Sequence, residues 1–398
     1  MSDLVKEFFM KQIQLEKFSP GHYESQGDYK SFIPTHINAE WTWSTPKISR
    51  LLAEASYEIG SLNMYSGKIP NIDLYIQMHI VTEANKSSKI EGTQTNIEED
   101  LMPLEELSPE KRDDQQEVRN YIQALRHGIS AILQENMPLS TRLIKQTHYL
   151  LLQNVRGKHK SPGEYRTSQN WIGGGRPGNA VFVPPPASLI NDLMGDLENF
   201  LHNPNIDTPG LIRMAIAHYQ FETIHPFLDG NGRVGRLLIP LFLLEQSLLE
   251  QPCFYISDFF EKNKSDYYTA LNDVREYGNM RAWIEFFLTA VIETSKSARS
   301  KFEKVTILVS SYDAVSPQIA GSISTVRAIL ETFYKWPINR INDIVQTTNL
   351  TQNTVRNTVN SMVEHKILTE VTGTSRNKVY VADDYLRVFM SEKQQNLT

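Results

Sequence analysis

Two stretches with helical apolar spacing, Leu211 to Ile224 and Leu237 to Leu244, are joined by His225-Pro226-Phe227-Leu228-Asp229-Gly230-Asn231-Gly232-Arg233-Val234-Gly235-Arg236. This junction constrains the chain more than any other feature. The residue before a proline is pushed out of the α region, so the first helix should end near His225 and leave its imidazole facing the loop. Gly230 and Gly232 permit positive φ and close approach to the backbone. The amides that open the second helix lack intrahelical partners and sit at the positive end of its dipole, which makes them an anion site. Arg233 and Arg236 lie three apart, on one helix face, and can grip phosphates bidentately. Asp229 is a hard oxygen donor of the kind that holds Mg²⁺ against a phosphate. The junction therefore reads as a phosphate cradle at the start of a buried helix.

Gly230 to Gly235 also matches G-x-G-x-x-G, but that fingerprint needs a buried strand before it, and Leu211–Ile224 has helical spacing. A dinucleotide fold is set aside. Each residue has a plainer use, as a capped turn, a solvated arginine or a core histidine; their coincidence in twelve positions favours the cradle. The net charge of −6 over 398 residues gives no global attraction to nucleic acid, so such a role needs a local basic patch. Cys253 is the single cysteine, which excludes an internal disulfide or a multi-cysteine zinc site. Residues 1–7 lack the pattern of a secretory signal, and the run from Arg236 to Glu245 is too short to cross a bilayer. A cytoplasmic, non-membrane protein is expected.

Elsewhere the pattern is mainly helical. Helices are expected from Thr45-Pro46, over 72–91 with Gly92 closing, from Ser108-Pro109, from Ser140, and through Leu189–Phe200. Residues 1–44 show no clear period, and Glu98–Glu106 reads as charged and irregular. Trp171–Val183, with Gly173-Gly174-Gly175-Arg176-Pro177-Gly178-Asn179 at its tip, reads as a β-hairpin stopped by Pro184-Pro185-Pro186. Helical spacing continues to about Val309. A linker over 310–321 then leads to three short helices (322–334, 340–348, 352–365) and two β-rich runs (367–371, 378–381), the order of a winged helix-turn-helix.

His225 through Arg236 fits H-x-F-x-D-G-N-G-R-x-x-R at every fixed position and so resembles Fic-domain proteins. The resemblance extends through Gly163-Glu164-Tyr165-Arg166, Phe182-Val183-Pro184-Pro185 and Tyr267-Tyr268 to Trp283, roughly residues 100 to 295. It implies transfer of AMP from ATP to a Ser, Thr or Tyr hydroxyl of a protein. By that resemblance His225 deprotonates the acceptor, and Asp229 holds Mg²⁺. Gly230, Asn231 and Gly232 bind the α- and β-phosphates, Arg233 and Arg236 the outer ones, with Val234 and Gly235 in the same ATP-binding run. Phe227 anchors the loop, Tyr268 lies against adenine, and Gly178, Asn179, Ala180 and Val181 at the flap tip align the target backbone. A phosphate-transferring variant of the family carries alanine and lysine where this chain has Gly230 and Gly232, so the glycines point to adenylylation. An imidazole with an ordinary pKa near 6.5 suits the proton removal.

Ser87-Ser88-Lys89-Ile90-Glu91-Gly92 matches the family's [ST]-x-x-x-E-[GN] inhibitory motif. A glutamate at a helix C-terminus opposes the dipole and is easier to explain with a cation facing it. By resemblance Glu91 pairs with Arg236 and holds ATP in an unproductive pose, with Ser87 and Gly92 completing the motif. In the C-terminal region Gln352, Asn353, Arg356, Asn357 and Asn360 are left available on one helix, with Arg376 and Lys378 on the wing; Glu364 and Glu370 dilute their charge. Duplex DNA and a docked protein are both open as its partner, and so is a homodimer.

The expected architecture is a helical N-terminal region with the inhibitory helix (1–115), a Fic core with a small hairpin flap (116–309), a linker (310–321) and a winged helix (322–398). The function that follows is a self-restraining protein adenylyltransferase. A nucleotide-sensing DNA-binding regulator, or removal of AMP by the same site, are the alternatives. An intact His225 favours catalysis, because sensing needs the cradle and no base.

Overall fold

The computed structural model describes residues 11–155, 159–373 and 377–390. Arg376, expected on the wing, and the N-terminal residues read for a signal lie outside them. The described residues open on four short strands, β1 (Gln12–Gln14), β2 (Gly21–Ser25), β3 (Lys30–Pro34) and β4 (Glu40–Thr42). Helices follow: α1 (Pro46–Ser66), α2 (Asp73–Glu91), α3 (Ile97–Leu101), α4 (Pro109–Leu133), α5 (Thr141–Leu151), α6 (Ile190–His202), α7 (Gly210–Ile224) and α8 (Asn231–Glu245). Then come α9 (Ser257–Lys262), α10 (Lys264–Tyr277), α11 (Met280–Val315), α12 (Ile323–Lys335), β5 (Ile338–Arg340), α13 (Ile341–Thr348), α14 (Gln352–Glu364), β6 (Thr369–Glu370), β7 (Val379–Val381) and α15 (Asp383–Phe389). No helix among the described residues is long and apolar enough to cross a membrane. The molecule is mainly helical, as expected.

Two compact units share the chain. The first comprises residues up to 60, 123–250 and 259–293; the second comprises 61–122, 251–258 and 294 onward.

In the first unit α7 and α8 form the centre. Eleven consecutive residues of α7, from Met214 through Ile224, are buried, with Leu211 and Ile212 ahead of them, and so is α8 from Arg233 to Leu244. A helix apolar on every side belongs in the interior. Gly235 makes the close packing possible: a Cβ there would lie 2.2 Å from Glu222 Oε1 and 3.1 Å from Phe221 on α7. Parallel pairing of β1 with β4 and antiparallel pairing of β2 with β3 give residues 11–44 more structure than their sequence announced. These strands are three to five residues long, too short for alternation to register.

The expected hairpin over 171–183 is a correction. It reduces to one antiparallel bridge, Ile172 with Phe182. Gly173 and Gly174, at φ of 69° and 70°, turn the chain out of the extended region, and a 3-10 turn at Pro177–Asn179 fills the tip. Its base is held by β3, where Phe32 N–H donates to Val183 O at 2.9 Å.

In the second unit α2 is the spine. Sixteen of its residues are buried, polar ones included. Glu83 accepts from Tyr121 Oη (2.9 Å) and from Ser257 N–H (3.0 Å). Lys86 pairs with Asp258 at 3.3 Å, and Asn85 donates to Thr95 O and Asp100 Oδ2. The helix closes on Gly92 at φ 112°, with Thr93 N–H reaching back to Ser88 O at 3.2 Å. His79 stacks on Phe302 (4.4 Å) and meets Phe389 edge-on, while Tyr75, Tyr334 and Tyr385 form a second aromatic cluster. Both clusters tie α2 to the C-terminal elements.

Helix α11 runs on to Val315, into the stretch read as a linker. Ser310 and Ser311 stay helical by returning their hydroxyls to the Thr306 and Leu308 carbonyls, and the helix stops only at the 3-10 turn containing Pro317. The stretch at 98–106, read as irregular, begins with α3, capped by Asn96 and Glu99 reciprocally. The C-terminal region adds β5 to the anticipated helices and strands, giving a sheet of order β5-β7-β6, antiparallel throughout.

Candidate active site

Helix α7 ends on His225, whose backbone is left-handed at φ 49° and ψ 60°. For a non-glycine residue this conformation costs about 1 kcal/mol, so the surroundings must hold it. They do so at both ends of the peptide. His225 N–H donates to Phe221 O (2.9 Å), while His225 O accepts from Arg166 Nε (3.0 Å) and Asn170 Nδ2 (3.1 Å). Arg166 N–H also donates to Pro226 O, and Asn170 Nδ2 to Phe227 O. Arg166 is 2% exposed, and burial pulls its guanidinium down to about 10, so it is a cation committed to carbonyls. Arg166 was noted in the sequence only as part of the wider resemblance; Asn170 carried no signal.

The His225 ring is partly accessible. Its Nδ1 lies 3.4 Å from Glu222 O and 4.0 Å from Glu222 Oε2. Both are acceptors, and the tautomer that suits them carries the ring proton on Nδ1 and the lone pair on Nε2.

The loop beyond is braced from inside. Phe227 is fully buried and stacks on His148 at 3.7 Å between ring centroids. Asn231 bridges back to Phe227 twice, accepting from its N–H and donating to its carbonyl, each at 2.8 Å. His148 Nδ1 accepts a hydrogen bond from Gly163 N–H (2.8 Å), so its Nε2 carries the ring hydrogen and donates to Asp229 O (3.0 Å). Burial lowers its pKa to about 4, which keeps this neutral tautomer in place. His148 is a second residue that sequence reasoning missed, because a histidine within a helical face carries no pattern of its own.

Gly230 caps α8 in the left-handed region at φ 78°, and its N–H is turned to Asp229 Oδ1 at 2.6 Å. The first helical bond is Val234 N–H to Gly230 O. The amides of Asn231, Gly232 and Arg233 therefore precede the helical ladder and form the positive end of a fifteen-residue helix. Gly232 is the second residue of that helix, so it does not take the positive φ expected of it. Arg233, 5% exposed, reaches Asp229 Oδ1 at 3.5 Å; Arg236 is 1% exposed. Asp229 itself is 41% exposed at its side chain. Val234 is fully buried, and Gly235 faces α7.

Gly235 O accepts from His218 Nδ1–H (3.0 Å), whose Nε2 accepts from Tyr267 Oη (2.8 Å). This relay fixes α10 to the middle of α8. Burial lowers the His218 pKa to about 3. Tyr268, next to Tyr267, keeps its ring 39% exposed with Lys264 Nζ 6.0 Å above it. The flap residues Gly178, Asn179 and Val181 are exposed and Ala180 half-buried, and Arg275 of α10 lies over the Phe182 ring at 4.0 Å. In the second unit Ser87 is fully buried, while Glu91 and Gly92 at the end of α2 are exposed. Asp229 is the one sequence-expected metal ligand; no group of three or more potential ligands occurs among the described residues.

Fold and loop together define a mainly helical protein in which a histidine at a strained helix end faces the N-terminus of a second helix. It carries a Fic domain: residues 138–243 match the family model Fic/DOC family, and residues 49–130 match Fic/DOC family N-terminal. A probable protein adenylyltransferase of Aquifex aeolicus (strain VF5) is 30% identical over 165 residues, 37% of this chain and 49% of that protein. Protein adenylyltransferase Fic of Drosophila erecta is 30% identical over 170 residues, 42% of this chain and 30% of that protein. The chain thus spans about half or less of the length of these relatives. A Fic family protein from Desulfovibrio desulfuricans G20 has a similar fold, with a TM-score of 0.54, 24% identity, and coverage of 85% of this chain and 96% of that one. Residues 134–508 of Fic-1 from C. elegans give a TM-score of 0.51 at 20% identity, covering 65% and 74%.

Proposed function

We propose that this chain is a protein adenylyltransferase, moving AMP from ATP to a Ser, Thr or Tyr hydroxyl of a protein, itself included. The observation that carries this reading is the His225 imidazole, held at a left-handed backbone with its lone pair on Nε2, one loop away from the α8 amides and two buried arginines. In the reaction the acceptor hydroxyl gives its proton to His225 Nε2 as its oxygen attacks the α-phosphorus. The bond to the β-phosphate oxygen breaks and pyrophosphate leaves. The α8 amides, Arg233 and Arg236 face the phosphoryl oxygens and the leaving group, where preorganised positive charge lowers the barrier.

Asp229 suits Mg²⁺ as a single exposed hard oxygen, since that ion takes most of its remaining ligands from phosphates and water. When bound it would neutralise phosphate charge. Tyr268 would lie against adenine, and the exposed residues 178–181 would pair with the target backbone.

Glu91 acts in this reading as the restraint, with Ser87 and Gly92 shaping the end of α2. We read residues 322–390 as a winged helix whose partner is duplex DNA; the supporting observation is a groove of about 520 Å³ between α14 and β7, lined by Arg340, Arg356 and Lys378. A cytoplasmic location belongs to the same proposal.

Intact-mass spectrometry after incubation with ATP tests the activity. Glu91→Gly should gain one AMP mass per modified site, at least about tenfold more than the parent, the effect of some 1.4 kcal/mol. An unmodified Glu91→Gly protein whose fold is intact would overturn the restraint and leave the activity without support.

A further inference from the structure

One of the cations lining the groove between α14 and β7 is already paired with carboxylates from elsewhere in the chain. Arg340 lines the groove at the start of α13, yet its Nη2 lies 2.7 Å from Glu106 Oε1 and its Nη1 3.5 Å from Glu105 Oε2. Glu105 and Glu106 belong to the 3-10 turn Leu104–Glu106, more than 230 residues earlier in the chain. The same segment is tied to the C-terminal region a second time, where Trp336 Nε1 donates to Leu101 O at 2.9 Å. Across the groove Lys378 is met at 3.3 Å by Glu370, and Asp343 Oδ2 accepts from Arg340 N–H. Arg356, Gln352, Asn360 and Asn377 complete the lining.

An open groove with three cations and several amides has the chemistry for a phosphate backbone and base edges. Isolated carboxylates of a protein partner would leave the amides unused. Glu105 and Glu106 are 75% and 43% exposed at their side chains, so water weakens their hold on Arg340 and a dense row of phosphates can outcompete it.

We infer that Glu105 and Glu106 compete in cis with duplex DNA for Arg340, so that DNA bound in the groove and the ordered turn at 104–106 exclude one another. The inference rests on the duplex reading of the C-terminal region given above. Residues 104–106 follow the end of α2 by a dozen positions, and α2 is also the helix against which the C-terminal aromatic clusters pack. Groove occupancy is thereby linked to the segment that follows the Ser87–Gly92 motif.

Two readouts on the full chain test this with a random-sequence 20-base-pair duplex. Filter binding at 50 mM salt should show Glu105→Gln/Glu106→Gln tighter than the parent by about tenfold. Glu110→Gln/Asp113→Asn, which removes the same charge from exposed positions of α4, should change affinity by less than about twofold. Arg356→Ala should weaken binding, and affinity should fall steeply towards 200 mM salt. In parallel, the Glu106 and Leu107 amides, bonded to Pro103 O and Leu104 O, should exchange hydrogen faster in the parent once duplex is bound. Equal tightening by the two double variants, or unchanged exchange at 106–107 with duplex bound, overturns the competition while leaving DNA binding in place. No duplex binding by any variant, or displacement by polyglutamate in preference to duplex, overturns the DNA reading and the competition with it.

Discussion

His225 depends on residues that never touch a substrate. Its left-handed backbone is held through one carbonyl that two side chains share, Arg166 and Asn170. Asn170→Ala removes a donor from both His225 O and Phe227 O, and labelling by ATP in a Glu91→Gly background should fall by about tenfold. As a positioning residue it should lower kcat while KM for ATP holds; a change confined to KM would contradict the role. His148 makes a different prediction. Its folded pKa near 4 lies below the ordinary 6.5, so the unfolded chain takes up a proton first as the pH falls. The stability it contributes is complete above pH 6.5 and is lost between 6.5 and 4, at up to about 1.4 kcal/mol per pH unit. His148→Gln can accept from Gly163 N–H and donate to Asp229 O without titrating. Thermal melts of that variant should show a shallower loss of Tm across this window, with His218 and His79, both also buried neutral, contributing to the slope that remains.

At the scale of elements, helices were legible wherever a cap or a break bounded an apolar face. Thr45-Pro46, Gly92, Ser108-Pro109 and Pro226 each mark a boundary within a residue or two of the observed one. The elements that were missed lack such marks. β1 to β4 are too short to show alternation, and the flap is shaped by glycine φ values and by its contact with β3, a partner distant in sequence. Asp100 shows the same limit: among Glu98-Glu99-Asp100 it reads as solvated, yet α3 buries it against Asn85 and its carboxyl is pushed up to about 7. Within the site, the helix-loop-helix layout was readable from the loop's spacing, whereas His148, Asn170 and the His218–Tyr267 relay come from elements brought in by folding. Gly235 gives the prediction at this scale. Gly235→Ala would place its Cβ against Glu222 and Phe221, so α7 and α8 must separate, at a cost of about 1–3 kcal/mol. Calorimetry should show a Tm several degrees lower; an unchanged Tm would contradict the packing described.

Over the whole molecule, the proposed function puts chemistry and restraint in different parts of the chain. His225, Asp229, Arg233 and Arg236 lie in the first unit, and Glu91 and the C-terminal groove lie in the second. In the proposed reaction the first unit moves AMP and His225 takes the proton. Parallel incubations of Glu91→Gly with ATP labelled on the α- or the γ-phosphate test it most directly. Protein-bound label should come from the α position alone and fall at least about a hundredfold on adding His225→Ala. Label from the γ position, or α label unaffected by His225→Ala, would contradict it.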